Sequence, residues 1–266
     1  MQIRLFVGML MTVLTSAVAV GAPPNGKPTT QSVGGIDAKD SGVVTGVVRF
    51  KGTAPAIKPV EEIAGNAFCK QCYKDGKLPI HDEIVLGKNG DDVTLGNVLV
   101  YVSKGLDGKE FDPPKDPVVL DQVGCMYTPH VVAVMAGQPL EIRNSDATLH
   151  NVMATPRENP PFNVGMPGKD DVINKVFKQP ELKINLHCFM HPWMSAYVHV
   201  LEHPFFAVTG PDGTFTIKGL PPGEYEISVL HEGSLVEPTP ATALVKVQAG
   251  ETKKVDFDYR PAGEKK

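Results

Sequence analysis

The stretch HCFMHPWM, from His187 to Met194, gathers two imidazoles, one thiol and two thioethers into eight positions. Cys188 ends an apolar run, His191 follows three residues on and Met194 three beyond that, and the alternating run AYVHVL then resumes. A strand end, a short loop containing Pro192 and a strand start can aim a thiolate, an imidazole and a thioether at one centre. A second imidazole must come from elsewhere in the chain. His150 is the natural candidate, because it lies just past the strand-like LEIRN and the polar turn Ser145-Asp146. Two imidazoles, a thiolate and a weak axial thioether suit copper in both oxidation states, since soft sulfur stabilises Cu(I) while imidazole tolerates Cu(II). Zinc also accepts two histidines and a cysteine but gains little from a methionine.

Positioning such a centre is work for strands. The chain has 266 residues, 42% hydrophobic and 21% charged, with 26 Gly and 24 Pro set among valine-rich runs, which favours many short strands joined by tight turns. Three β-rich sections are expected. The first, 41–117, opens with GVVTGVVRFKG and contains NVLVYV; between them lies a loop-like stretch with Cys69 and Cys72. The second, 118–201, has VVAVMAGQPLEIRN, a Pro/Asn/Gly-rich excursion over 154–169, then KINLHC and AYVHVL. The third, 202–262, alternates apolar and polar residues, as in Phe215 and Ile217 or Val255, Phe257 and Tyr259, and carries a strong hairpin-turn signal at Pro211-Asp212-Gly213. No stretch has a long helical period, so the expected fold is all-β sandwich.

The run LEIRNSDATLHNV followed by KINLHCFMHPWMSAYVHVLE resembles the copper-binding half of a cupredoxin, and the Cys-x2-His-x2-Met spacing is most similar to that of the amicyanins. The resemblance covers roughly 118–201. It implies a Greek-key β-sandwich with one type 1 copper, trigonal ligands His150, Cys188 and His191, and Met194 as the long axial ligand. It also implies that Asn151 ties the two ligand-bearing loops together, and that the ring edge of His191 passes electrons to transiently docked redox partners. Phe162, Met166, Pro167, Pro192 and Trp193 are the residues expected to build an apolar docking patch around that edge. Pro192 has no N–H to donate to the Cys188 sulfur, which favours the less charged reduced site. A His immediately before the copper Cys, here His187, partly resembles the copper nitrite reductases. The chain lacks an evident set of three histidines for a second, catalytic copper, so no enzyme activity is expected and His187 is expected to face solvent. Met190 is expected to be packing or loop surface, and His130 structural.

The third section resembles the transthyretin-like, carboxypeptidase regulatory-like β-sandwich modules, with FAVTGPDGTFTIKGLPPGEYEISV matching their central hairpin and Pro-Pro-Gly turn. GVVTGVVRFKGTAP resembles the first strand of the same module, which suggests a copper section inserted into it. For the remaining cysteines the expectation is a disulfide between Cys72 and Cys125, with Cys69 as the alternative partner. No His follows Cys72, so covalent haem attachment is unsupported.

Arg4, the apolar run after it and Ala17-Val18-Ala19 read as an export signal over 1–19, followed by a Pro/Gly/Thr/Lys-rich leader over 20–40. This points to the periplasm, the cell envelope or secretion, with no stable membrane insertion after signal removal. A formal charge of −4 with acids and bases well mixed offers no footprint for nucleic acid. The expected function is an exported blue-copper electron carrier. The alternatives are an envelope copper-binding or copper-delivery protein and a structural or glycan-binding β module with a vestigial copper site.

Overall fold

Gly42, Val44, Gly46, Val48 and Phe50 all face inward along the strand Gly42–Phe50, whose burial alternates at every residue as a half-buried strand requires. A computed structural model describes residues 29–30, 40–81 and 83–263 of the chain, so the expected export signal and most of the leader lie outside the described residues. Gly42–Phe50 is the hub of one sheet. It pairs antiparallel with Thr214–Leu220 and Asp92–Leu95, and parallel with Thr252–Lys254 and Phe257–Pro261. Those parallel partners come within reach because residue 46 has no side chain: a Cβ there would lie 1.7 Å from the carbonyl oxygen of Val255. Gly46→Ala is therefore expected to push two strands apart and lower stability by about 3 kcal/mol, the upper end of overpacking effects, read as a lower denaturant midpoint at unchanged m-value.

The opposing sheet runs in the order Thr29–Thr30, Phe206–Val208, Leu99–Lys104, Gly223–Leu230, Thr242–Val247. Val44, Val48, Val100, Phe215, Ile227 and Phe257 pack between the two sheets as one core. Strands from both ends of the chain thus build a single sandwich, and the segment between Leu99–Lys104 and Phe206–Val208 leaves it and returns. The turn at Pro211-Asp212-Gly213 forms, with Gly213 at φ +67° and its N–H on the carbonyl of Gly210. It does not close a hairpin. Phe206–Val208 pairs with Leu99–Lys104 in one sheet and Thr214–Leu220 with Gly42–Phe50 in the other, so the turn carries the chain across the sandwich. Local turn chemistry fixes the reversal, while burial of both strands' inner faces selects distant partners.

The excursion is a second sandwich. One sheet has the order Phe162–Met166, His150–Ala154, Glu181–His187, Ser195–Leu201, Val131–Met135, and the other Asp171–Val176, Pro139–Asn144, Val118–Val123, Met126–Thr128. Its core includes Leu120, Val132, Ile142, Val152, Ile184 and Val198. The Pro-rich stretch after Ala154 is less irregular than its composition implies, since Phe162–Met166 folds back on His150–Ala154 in full register. The sandwiches meet through Val131, Ala133, Met135 and Leu201 against Leu99, Phe206 and Val208. Beside this junction His130 bonds Ser195 O and Glu232 Oε1, a buried bridge in keeping with a structural role. Among the described residues no helix is long and apolar enough to cross a membrane.

Candidate metal centre

Three strand ends converge at one edge of the second sandwich. His150 opens the strand His150–Ala154, Cys188 follows Glu181–His187, and His191 and Met194 occupy the loop before Ser195–Leu201. The loop is a closed turn, with Cys188 N–H on Met194 O at 3.2 Å and Met194 N–H on His191 O at 2.8 Å. His150, Cys188, His191 and Met194 are all buried. A nitrogen of each ring and the Cys188 sulfur lie within 4.8 Å of one another. His191 Nδ1 stands 3.9 Å from that sulfur and 2.9 Å from His150 Nδ1.

Asn151 binds the two ligand-bearing segments together. Its backbone N–H points at the Cys188 sulfur at 3.4 Å, its Oδ1 accepts from Phe189 N–H at 2.7 Å, and its Nδ2 donates to Asn163 at 2.7 Å. Burial opposes ionisation of Cys188, but the His150 and His191 rings beside it and the backbone N–H groups of Asn151 and His191 outweigh it and bring the thiol down to about 5. At neutral pH this sulfur is a thiolate, the form that binds metal.

Asp146 is a part of the site that the sequence pattern does not single out. Its buried carboxylate accepts from His150 Nε2–H at 3.0 Å and from the N–H groups of Gly124 and Cys125 at 2.8 Å each. Gly124 and Cys125 have φ of +64° and +57° and form the two-residue hairpin between Val118–Val123 and Met126–Thr128. One carboxylate thus holds the hairpin and fixes the His150 tautomer, leaving the Nδ1 lone pair to face the centre. A carboxylate on the distal nitrogen of a histidine is the usual support of a metal-bound imidazole. With a buried thiolate and two Nδ1 atoms beside it, the donor set fits copper.

A short helix that the sequence does not predict, Ala67–Cys72, lies over His191. Asn66 caps it, accepting from Phe68 N–H and Cys69 N–H at 3.0 Å each, so its amide NH2 is turned toward His191 Nε2 at 3.2 Å. The amide donates to Nε2, His191 Nδ1–H donates to His150 Nδ1, and His150 Nε2–H donates to Asp146, a continuous chain for the metal-free centre. His191 is 2% exposed. The expected open ring edge is therefore covered.

The expected docking patch is likewise not continuous. Met166 is buried, with its sulfur accepting from Gln122 Nε2 at 3.0 Å, while Phe162 sits at the opposite end of its strand beneath Lys175. Trp193 is half-buried against the core and donates from Nε1 to Cys125 O at 3.0 Å; Pro167 and Pro192 are exposed. The exposed apolar groups nearest Cys188 in sequence are Phe189 and Met190, at 59% and 52%. His187 is half-buried against Asn185 and Phe189, outside the donor cluster.

The cysteine pairing also differs from the expected one. Cys69, not Cys72, is joined to Cys125, across a Cα–Cα distance of 5.6 Å, and Cys72 is a free thiol. Asn66 starts the helix so that Cys69 faces the core while Cys72, one turn later, stays at its half-buried rim.

No protein-family model matches the chain, and no curated protein matches it. Among solved structures it is similar to a copper-containing nitrite reductase from Thermus scotoductus SA-01 (21% identity, TM-score 0.31), over 38% of this chain and 26% of that one. The chain thus spans about a quarter of that reductase. A purple cupredoxin from Nitrosopumilus maritimus matches at 19% identity and TM-score 0.28 over 31% of this chain and 98% of the other. A reduced amicyanin carrying a tryptophan-to-tyrosine substitution matches at 22% identity and TM-score 0.29, over 34% and 91% of the two chains.

Proposed function

We propose that this chain is an exported type 1 copper protein that carries single electrons between redox partners, with His150, Cys188, His191 and Met194 as the residues that would hold the metal. The observation that carries this reading is the buried convergence of one ring nitrogen each from His150 and His191 and the Cys188 sulfur within 4.8 Å. Copper bound there supplies a one-electron couple. The chain's own residues do the rest: the closed 188–194 turn and the Asp146 and Asn151 hydrogen bonds hold the donors still through a change of charge. Burial keeps water off them, and the backbone N–H groups of Asn151 and His191 on the sulfur offset part of the thiolate charge. No second catalytic centre is part of this reading. The Cys69–Cys125 disulfide fits an oxidising compartment such as the periplasm.

The covered His191 edge favours a second reading, an envelope protein that binds and delivers copper. Adding Cu(II) to the mature chain is expected to give an intense absorption toward the red end of the visible spectrum, bleached by reduction and absent in Cys188→Ser. A wild-type chain without that band would defeat both readings. Reversible electron exchange with a redox partner then selects the carrier, and ready transfer of Cu(I) to chelators selects delivery.

A further inference from the structure

The loop that carries Cys188, His191 and Met194 is held differently at its two ends. At its entry Asn151, from within the same sandwich, accepts the Phe189 N–H at 2.7 Å. At its exit the hold comes from outside. The parallel ladder between Ser195–Leu201 and Val131–Met135 starts at the pair Tyr197 and Val131, with Tyr197 N–H on His130 O at 2.8 Å, so the carbonyl of Ser195 falls just short of it. The His130 ring closes that gap, its Nδ1–H donating to Ser195 O at 3.0 Å. Its other nitrogen, Nε2, faces Glu232 Oε1 at 3.2 Å. Glu232 follows Gly223–Leu230 and so belongs to the first sandwich.

A carbonyl and a carboxylate are both acceptors, so each ring nitrogen of His130 carries a proton and the ring is the cation of a buried ion pair, with side chains 5% and 2% exposed. The carboxylate leans on this one ring. Glu232 Oε2 is buried with no hydrogen-bond partner, and His231 Nδ1, 3.6 Å from it, already accepts the Gly233 N–H at 3.0 Å and has no proton to give. Burying a carboxylate with half its capacity unused is costly, and an apolar residue beside Leu99, Phe206 and Val208 would serve the packing of the junction better.

We infer that Glu232 and His130 are positioning residues: through them the first sandwich holds the exit of the metal-binding loop at Ser195 O and so sets where Met194 stands. The inference rests on the reading of Met194 as one of the residues that would hold the metal. The carboxylate fixes the ring, and the ring fixes the carbonyl of the residue after Met194. The bonds of Cys188 N–H to Met194 O and of Met194 N–H to His191 O pass that restraint to the rest of the loop. The added sandwich thereby takes part in the geometry of the centre.

The test replaces the relay without stranding either charge. In His130→Phe/Glu232→Met both ionic groups go, and because apolar residues of similar volume commonly replace a buried ion pair without loss of stability, the urea midpoint is expected to stay near that of wild type. In the metal-free paired variant the Met194 methyl signal, assigned by Met194→Leu, is expected to shift and broaden. Its Cu(I) affinity, by competition with bicinchoninate, is expected to fall by about 10-fold, the low end for loss of a ligand's support. Glu232→Gln keeps an acceptor for the His130 Nε2–H and is expected to hold both values near wild type. Val208→Ala loosens the same junction without touching the relay and is expected to change neither. Wild-type values in the folded paired variant, or equal changes in Val208→Ala, would overturn the inference. Should circular dichroism show the paired variant unfolded, nitrogen NMR of the wild-type His130 ring decides: two protonated nitrogens at neutral pH support the relay and a single one overturns it. Failure of the copper reading is distinct, because a wild-type chain that takes no copper still shows, in the metal-free methyl signal, whether the relay positions Met194.

Discussion

Asp146→Ala is expected to weaken copper binding by about 10–100-fold and to lower stability of the metal-free chain by about 3 kcal/mol. The affinity loss follows from the role of the carboxylate on His150 Nε2–H, since removing such a support releases ring orientation and tautomer together. The stability loss follows from burial: the substitution strands the N–H groups of Gly124 and Cys125 and the imidazole N–H, each costing about 1–3 kcal/mol where water cannot reach. It also removes the restraint on Cys125, a non-glycine residue held at φ +57°. Asp146→Asn keeps one acceptor oxygen and is expected to fall between the two.

The same pair carries a pH dependence in the metal-free chain. Burial disfavours the charged His150 ring, but hydrogen bonds and charge from Asp146 and then Cys188 prevail and raise its pKa above 6.5. A pKa raised on folding adds stability that is full below 6.5 and lost as pH rises through the folded-state value. The difference between wild type and Asp146→Ala should therefore be larger at pH 5 than at pH 8. Urea midpoints at the two pH values measure it; an equal difference at both would remove His150 protonation from the account.

Why these supports escape the sequence while the donors do not is a matter of distance along the chain. His191 and Met194 follow Cys188 within six residues, and His150 and Asn151 begin a strand of the same sheet, so alternation and spacing bring them to one edge. Asn66 is 125 residues from His191, in a stretch whose composition says only loop. Its signal is faint: an Asn before Ala-Phe-Cys is a helix-cap residue type, but a six-residue helix has too little period to be seen. The disulfide is legible as a choice among three cysteines and no further, because the choice depends on which face of that helix meets the core. Sheet membership is hidden for the same reason at Pro211-Asp212-Gly213, where a turn motif fixes a reversal but says nothing of the partner strand. The expected docking patch fails at Met166 because the period of two puts that side chain inside, on the face opposite Asn163 and Gly165.

Removing the crosslink with Cys69→Ser/Cys125→Ser is expected to cost about 4 kcal/mol, the chain-entropy value for joining residues 56 apart. The loss should be partly local. What the bond fastens is the segment holding Glu61–Gly65 and Ala67–Cys72, which otherwise meets the second sandwich through Val60, Ile63, Phe68, the Asn66 amide on His191 and the Tyr73 hydroxyl. With the bond gone, the amides of 60–73 should lose hydrogen-exchange protection well before those of Val131–Met135 or Ser195–Leu201, which are paired within the sheet. Because that helix and its Asn66 cap lie over His191, this cover loosens with it, and Cu(I) should pass to a chelator faster from the double variant than from wild type. Asn66→Ala separates the two causes. It keeps the crosslink and most of the stability, yet trims the side chain that lies over His191, so transfer should quicken with only a cap-sized loss of about 1 kcal/mol. Equal transfer rates for all three chains would mean that the helix supports the fold without covering the metal's way out.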